Sequence, residues 1–152
     1  AMSIRGLTDQ EVLDRYEEVE TLEREDATVF RATVEGETVI AKQFRGSGLW
    51  GTIVGVLAVN EELTRTVGLT IIEHNETPGL GGRITERWFQ AQFEGEQIGS
   101  EGTIEFTAGD GDTDYDNSEV DGITGATRTT ESMERIVNRE IERIRSLMGG
   151  DA

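Results

Sequence analysis

Residues 130–148 constrain the fold most. Met133, Ile136, Val137, Ile141, Ile144, Leu147 and Met148 recur at steps of three and four, which places them on one face of a helix. A stripe that long needs an apolar surface to cover it, because helices in proteins are stabilised mainly by packing. Gly149-Gly150 supply the stop. The covering surface is expected from β-branched runs in the middle of the chain. Runs 27–34 and 37–44 flank Glu35-Gly36, a hairpin-turn signal, and runs 52–59 and 66–74 flank the polar segment N-E-E-L-T-R.

The remaining segments fill in around this pair. Residues 8–24 predict a second amphipathic helix: Thr8 and Glu11 form a capping box, Leu7 and Val12 a staple, and Val12, Leu13, Tyr16, Val19 and Leu22 a stripe. Residues 86–93 read as a short helix or a strand, with Trp88, Phe89 and Phe93 fitting a helical face better. Residues 103–106 predict a short strand, and 108–119 a polar loop. The expectation is one α+β domain over 1–152, mostly antiparallel strands in the middle, with an N-terminal and a long C-terminal amphipathic helix.

Composition excludes several functions. With 31 acidic against 14 basic residues, the net charge is 14 − 31 = −17, which repels nucleic acid and anionic membranes. A salty habitat is compatible with such acidity. The absence of cysteine removes disulfides, thiolate metal sites and cysteine nucleophiles. No apolar run reaches the roughly 20 residues a membrane helix needs. Ala1-Met2 reads as a vector remnant before an internal start, which leaves room for natural sequence ahead of Ser3.

Three constellations could carry chemistry. D-G-D-T-D-Y-D, from Asp110 to Asp116, alternates carboxylates as calcium loops do. Tyr115 stands where an EF-hand needs glycine, and the terminal glutamate is replaced by Asp121 or Ile123, so a solvated loop is expected. His74, the only histidine, has neither a G-x-S-x-G elbow nor cysteine partners, and reads as structural or as a binding-site wall and not as a catalytic base. H-N-E-T-P-G-L-G-G, from His74 to Gly82, contains the only proline. Pro78-Gly79 there can make a type II turn, and the glycines would admit a planar ligand close to the backbone. The last constellation is D-G-I-T-G-A-T-R-T-T, from Asp121 to Thr130. Thr124, Thr127, Thr129 and Thr130 bring hydroxyls to a helix start whose free N–H groups favour an anion. Capping by Thr129 or Thr130 and phosphate binding both fit it.

D-G-I-T-G-A-T resembles the flavinylation motif, Asp-small-x-Ser/Thr-Gly-Ala-Thr, of covalent FMN-binding domains. G-L-W-G-T, G-L-T-I-I-E-H-N-E-T-P-G-L-G-G and W-F-Q-A-Q-F-E-G resemble the rest of that domain, in family order, from Gly46 to Met148. The wording is similar to the C subunits of sodium-translocating NADH:quinone oxidoreductases and the G subunits of Rnf electron-transport complexes, and leans to the former. The resemblance implies FMN joined through its phosphate to Thr127 by a flavin transferase that uses FAD. Asp121, Thr124, Gly125 and Ala126 match the recognised motif, and Glu76, Thr77, Pro78, Gly79 and Leu80 match the segment near the flavin. Thr124 stands where serine is common, Arg128 where an apolar residue is frequent, and Thr130 where serine is frequent. None of these removes the acceptor, and Arg128 becomes a candidate partner for the phosphate.

The resemblance further implies an electron carrier within a larger assembly and not an independent enzyme. Its expected place is the extracytoplasmic face of the cytoplasmic membrane, anchored by a segment this chain lacks, with the other subunits of an ion-pumping complex as partners. Two other classes stay open. One is a noncovalent FMN or phosphate-ligand module with Thr127 unmodified, and the other a structural interaction domain whose glycine loops only turn the chain.

Overall fold

The computed structural model describes residues 16–149, except 25, 26, 35, 108 and 110. Five strands, β1 (Tyr16–Arg24), β2 (Ala27–Val34), β3 (Glu37–Ser47), β4 (Thr52–Asn60) and β5 (Thr66–Glu73), form one antiparallel sheet in chain order. A 3-10 turn (Gly81–Thr85) leads into a short helix, α1 (Arg87–Ala91). Strands β6 (Glu105–Thr107) and β7 (Glu119–Asp121) make a small parallel pair, and α2 (Thr127–Gly149) closes the domain. The α+β class stands as expected from the sequence.

One predicted element is different. Residues 16–24, expected in a helix, are a strand paired with β2, with Val19 opposite Ala32, Thr21 opposite Phe30 and Leu22 opposite Val29. Tyr16, Val19 and Leu22 sit three apart and mimic a helical stripe, yet tyrosine, valine and threonine also suit a pleated surface. The unpaired backbone edge of β2 then decides the matter, since its N–H and C=O groups need partners. The capping box and staple at Leu7, Thr8, Glu11 and Val12 lie outside the described residues.

The sheet covers the helix stripe as the pattern demands. Ile40 and Phe44 of β3, Ile53, Leu57 and Val59 of β4, and Leu69 of β5 are buried in one core with Met133, Ile136, Val137, Ile141, Ile144 and Leu147 of α2. Each such side chain contributes about 1.5–3 kcal/mol by leaving water. At Gly46 the helix lies so close that an added Cβ would sit 2.5 Å from Ile136 Cγ1. The aromatic cluster lies beside this contact. Phe89 and Phe93 are buried, with ring centroids 5.7 Å apart, and Phe106 stands 5.9 Å from Phe93.

A charged pair bridges sheet and helix. Lys42 shares the core face of the sheet with Leu57, its β4 neighbour, and its Nζ lies 2.6 Å from Glu140 Oε1, with side-chain exposures of 11% and 7%. Lys42 also donates to the carbonyl of Gln43 at 3.2 Å, and Arg139 Nε lies 3.5 Å from Glu140 Oε2. Removing one partner would strand the other charge away from water. Glu140→Ala is therefore expected to lower the unfolding free energy by about 3–5 kcal/mol, whereas a Lys42→Met/Glu140→Leu double change recovers most of it. Urea unfolding of the three chains measures this, and a double variant as unstable as the single one would remove the stranded-charge account.

Candidate functional site

The Asp121–Thr130 segment forms the exit from β7 and the start of α2. Ile123 to Ala126 is a β-turn closed by the Ala126 N–H donating to the Ile123 carbonyl at 3.0 Å, with Gly125 at φ +83°. Only glycine takes that backbone shape at no steric cost. The first helical hydrogen bond runs from the Thr130 N–H to the Ala126 carbonyl at 3.0 Å, and the helix begins at Thr127, three residues before the start expected from the sequence.

Neither expected cap is used as a cap. The Thr130 hydroxyl accepts from the Ile123 N–H at 2.9 Å, folding the turn back onto the helix, and the Thr129 hydroxyl donates to Glu76 Oε1 at 2.8 Å. Among the described residues no side chain accepts from the N–H groups of Thr127, Arg128 and Thr129, which make up the first helical turn. Thr127 is exposed, and its hydroxyl has no hydrogen-bond partner among the described residues. Arg128 beside it is also exposed.

The two motifs of the sequence meet at Glu76, a buried carboxylate 3% exposed. Its Oε1 accepts from Leu49 N–H at 2.9 Å as well as from Thr129, and its Oε2 from Trp50 N–H at 3.0 Å. The G-L-W-G turn, the T-P-G-L loop and the helix start are thus tied to one side chain, whose oxygens are spent on protein donors. His74 Nδ1 accepts from the Glu76 N–H at 3.0 Å, which agrees with the structural reading of that histidine. Thr77 to Leu80 is the expected type II turn, with Leu80 N–H donating to the Thr77 carbonyl at 3.0 Å and Gly79 at φ +77°. Thr77, Pro78, Gly79 and Leu80 are exposed, and Leu80 Cδ2 lies 3.8 Å from where a Cβ on Gly125 would stand.

Asp121 faces the protein. Its Oδ2 accepts from the Gly111 N–H at 3.0 Å and its Oδ1 from the Thr107 hydroxyl at 3.1 Å. The aspartate-rich loop is built from such contacts: Asp112 Oδ1 accepts from the Asp114 N–H at 2.7 Å and Asp114 Oδ1 from the Asp116 N–H at 2.9 Å. Its carboxylates thus stabilise turns, and among the described residues no acidic or histidine group is arranged to hold a metal ion.

Two residues escape the sequence reading. Gln92 is buried and bonds to Asp121 and Asp112, and Glu96 is fully buried with Oε2 accepting from the Ser118 N–H at 2.9 Å. The available signal is weak: Gln92 and Glu96 are two of four polar side chains interleaved with the aromatics of W-F-Q-A-Q-F-E-G-E.

A cleft of about 400 Å³ opens at the helix start, lined by Phe106, Thr107, Ile123, Thr124, Thr127 and Glu134 among others. That volume lies within the range of small-molecule sites. A larger cavity of about 530 Å³ lies elsewhere, between Gly36, Asn60 and Gly95, and Glu37, Glu61 and Glu62 line it. Its three carboxylates outnumber the lining Arg65 and disfavour an anion, and neither motif reaches it.

Sheet, helix and cleft define an α+β domain that presents a bare threonine hydroxyl and unspent amides at the start of its long helix. The FMN-binding domain model matches residues 48–142, and the chain belongs to that family. The C subunit of the Na(+)-translocating NADH-quinone reductase of Pseudomonas aeruginosa is 27% identical over 136 residues, covering 84% of this chain and 52% of that protein. Its counterpart in Chlamydia muridarum is 37% identical over 102 residues, covering 56% and 32% respectively. The chain therefore spans about half or less of the length of these relatives. The crystal structure of the same reductase component from Parabacteroides distasonis superposes with a TM-score of 0.67 at 27% identity, covering 80% of this chain and 62% of that one. Shewanella oneidensis NqrC shares the fold, with a TM-score of 0.64 at 24% identity, covering 90% of this chain and 70% of that one.

Glu96 gives this region a titration of its own. Burial pushes its carboxyl from 4.5 up to about 7, against the lowering effect of the Ser118 N–H, and Asp112 and Asp114 nearby push it further up. Its Oε1 has no hydrogen-bond partner among the described residues. Between pH 4.5 and about 7 the folded chain holds a proton that the unfolded chain has released, so this group's contribution to stability falls as pH rises through that window. Glu96→Gln keeps an acceptor for Ser118 and removes the titration. The variant's Tm advantage over the native chain is expected to grow from pH 5 to pH 8 at constant salt, and a gap that does not change with pH would contradict a buried titrating carboxyl.

Proposed function

We propose that this domain is a flavin-carrying electron-transfer module in which FMN is held by a phosphoester at Thr127. The observation that carries the reading is the exposed, unpartnered Thr127 hydroxyl in the first turn of α2, beside the cleft. A phosphate joined there would lie against the first-turn N–H groups and the positive end of the helix dipole, typically worth about 0.3–1 kcal/mol. Arg128 is the neighbouring cation available to it. Gly125 and Ala126 keep the approach low, Thr124 adds a hydroxyl at the cleft wall, and exposed Leu80 offers an apolar contact for a ring system. Asp121, Glu76, Thr77, Pro78 and Gly79 serve by shaping the loops around the acceptor.

FMN, when attached, supplies the redox chemistry; the chain supplies an anchor and an orientation. Attachment is the work of a separate flavin transferase, for which this domain is the substrate. By likeness to the C subunits of the Na(+)-translocating NADH-quinone reductases, the module works within such a complex; its proposed place is the extracytoplasmic face of the membrane. Among the described residues no helix is long and apolar enough to cross a membrane, so anchoring falls to other sequence or other subunits.

Coexpression with a flavin transferase tests the reading. The intact mass is expected to rise by FMN less one water, and Thr127→Ala is expected to abolish the gain. A yellow protein of unmodified mass would favour a noncovalent phosphate-ligand module, and a colourless protein of unmodified mass a structural interaction domain. Either outcome overturns attachment.

A further inference from the structure

The geometry points to Gln92 as the positioning residue of the acceptor loop, an inference that rests on attachment at Thr127. Among the described residues β7 is a strand with one neighbour. On the β6 side the ladder is made, and it continues past the strand end with the Gly122 N–H donating to the Thr107 carbonyl at 2.8 Å. Backbone groups of successive residues in a strand point to alternate sides, so the N–H and C=O of Asp121 face away from β6. Where a further strand would stand, the side chain of Gln92 takes its place: Oε1 accepts from the Asp121 N–H at 2.7 Å, and Nε2 donates to the Asp121 carbonyl at 2.9 Å.

The same amide is used to its limit. Oε1 also accepts from the Asp112 N–H at 2.8 Å, which binds the aspartate-rich loop to the strand end. Nε2 has a second, longer contact to the Phe89 carbonyl at 3.4 Å, within the turn of helix that carries Gln92. With two donors and two acceptor sites all engaged and only 2% of the residue exposed, a primary carboxamide is the side chain this position suits.

From Asp121 the constraint passes to the acceptor without a slack link. Gly122 lies against Thr130, where an added Cβ would overlap the threonine side chain. Ile123, 3% exposed, donates its N–H to the Thr130 hydroxyl and closes the turn that ends at Ala126. Gln92 is too deeply buried to touch a modifying enzyme. It acts by holding the strand exit so that the Thr127 hydroxyl is presented in one place.

The test uses the full chain with a purified flavin transferase and FAD, following covalent loading by intact mass. Gln92→Met keeps the volume and removes all the hydrogen bonds. Gln92→Glu keeps an acceptor for the two N–H groups and loses the donor to Asp121. The saturating loading rate is expected to fall at least tenfold in Gln92→Met and by a smaller factor in Gln92→Glu, with the half-saturating chain concentration unchanged in both. Native loading rates in both variants, or a loss confined to half-saturation, would overturn the positioning role. Should Gln92→Met fail to fold, Gln92→Glu carries the test with amide hydrogen exchange. Exchange at Ile123 and Ala126 should speed at least tenfold while Ile141 and Ile144 stay unchanged, and uniform acceleration or none refutes the inference. A native chain that does not load, or a Thr127→Ala chain that still does, overturns attachment itself and this inference with it.

Discussion

The buried carboxylate of Glu76 is the interaction on which the site depends. It accepts from Leu49 and Trp50, which lie 27 and 26 residues before it, and from Thr129, 53 residues after it. A carboxylate taken out of water is costly unless its oxygens are answered, and hydrogen bonds to an ionised acceptor are the stronger kind. Glu76 meets that requirement with groups from three separate segments. One side chain thus joins the G-L-W-G turn, the T-P-G-L loop and the helix start, adding to the β4–β5 ladder and to the Arg135 and Arg139 bonds that tie the helix to the end of β3. Gly81 packs against Thr129 at the same junction, where an added Cβ would overlap the threonine. The convergence of two motifs distant in sequence is thus a consequence of satisfying one buried charge.

That junction explains why Thr127 is left bare. The adjacent hydroxyls have structural duties, Thr129 to Glu76 and Thr130 to Ile123; at about 100° per residue Thr127 points away from Thr129, while Thr130, three positions on, shares its face but is held by Ile123. A row of hydroxyls that looks equivalent on paper is divided by the fold: Thr129 and Thr130 are engaged in hydrogen bonds, and Thr127 stands at the cleft with none among the described residues.

Much of this is legible in the residues alone, and the gaps have physical causes. The stripe from Met133 to Met148 finds its sheet because a 3.6-residue period over that length has few other uses. The Thr77–Leu80 turn follows from proline and glycine chemistry alone. The strand at Tyr16–Arg24 differs from expectation because its apolar spacing fits a helix, and only the waiting edge of β2 distinguishes the two. Within the site, residue types mark the proposed acceptor loop but do not show that Glu76 and Asp121 turn inward. Gln92 and Glu96 are hidden for the opposite reason: a polar side chain in a mostly apolar run looks like ordinary surface until a missing strand or a buried loop asks for it.

Net charge bears on which kind of binding such a cleft can support. A chain at −17 opposes the approach of a doubly charged phosphate, and Glu131 and Glu134 stand in the same cleft as Thr127. Against this the helix start offers about 0.3–1 kcal/mol, and Arg128 is an exposed cation screened by salt. Noncovalent retention of a flavin at micromolar strength needs about 8 kcal/mol, which small-molecule sites usually reach by burying most of the ligand. A shallow cleft in an acidic protein is poorly placed to do so. A phosphoester removes one charge from the phosphate and makes retention independent of burial, so the ring system can stay accessible to a redox partner. The electrostatics of the chain therefore favour the covalent form of the proposal over the noncovalent one, for reasons independent of the motif that suggested it.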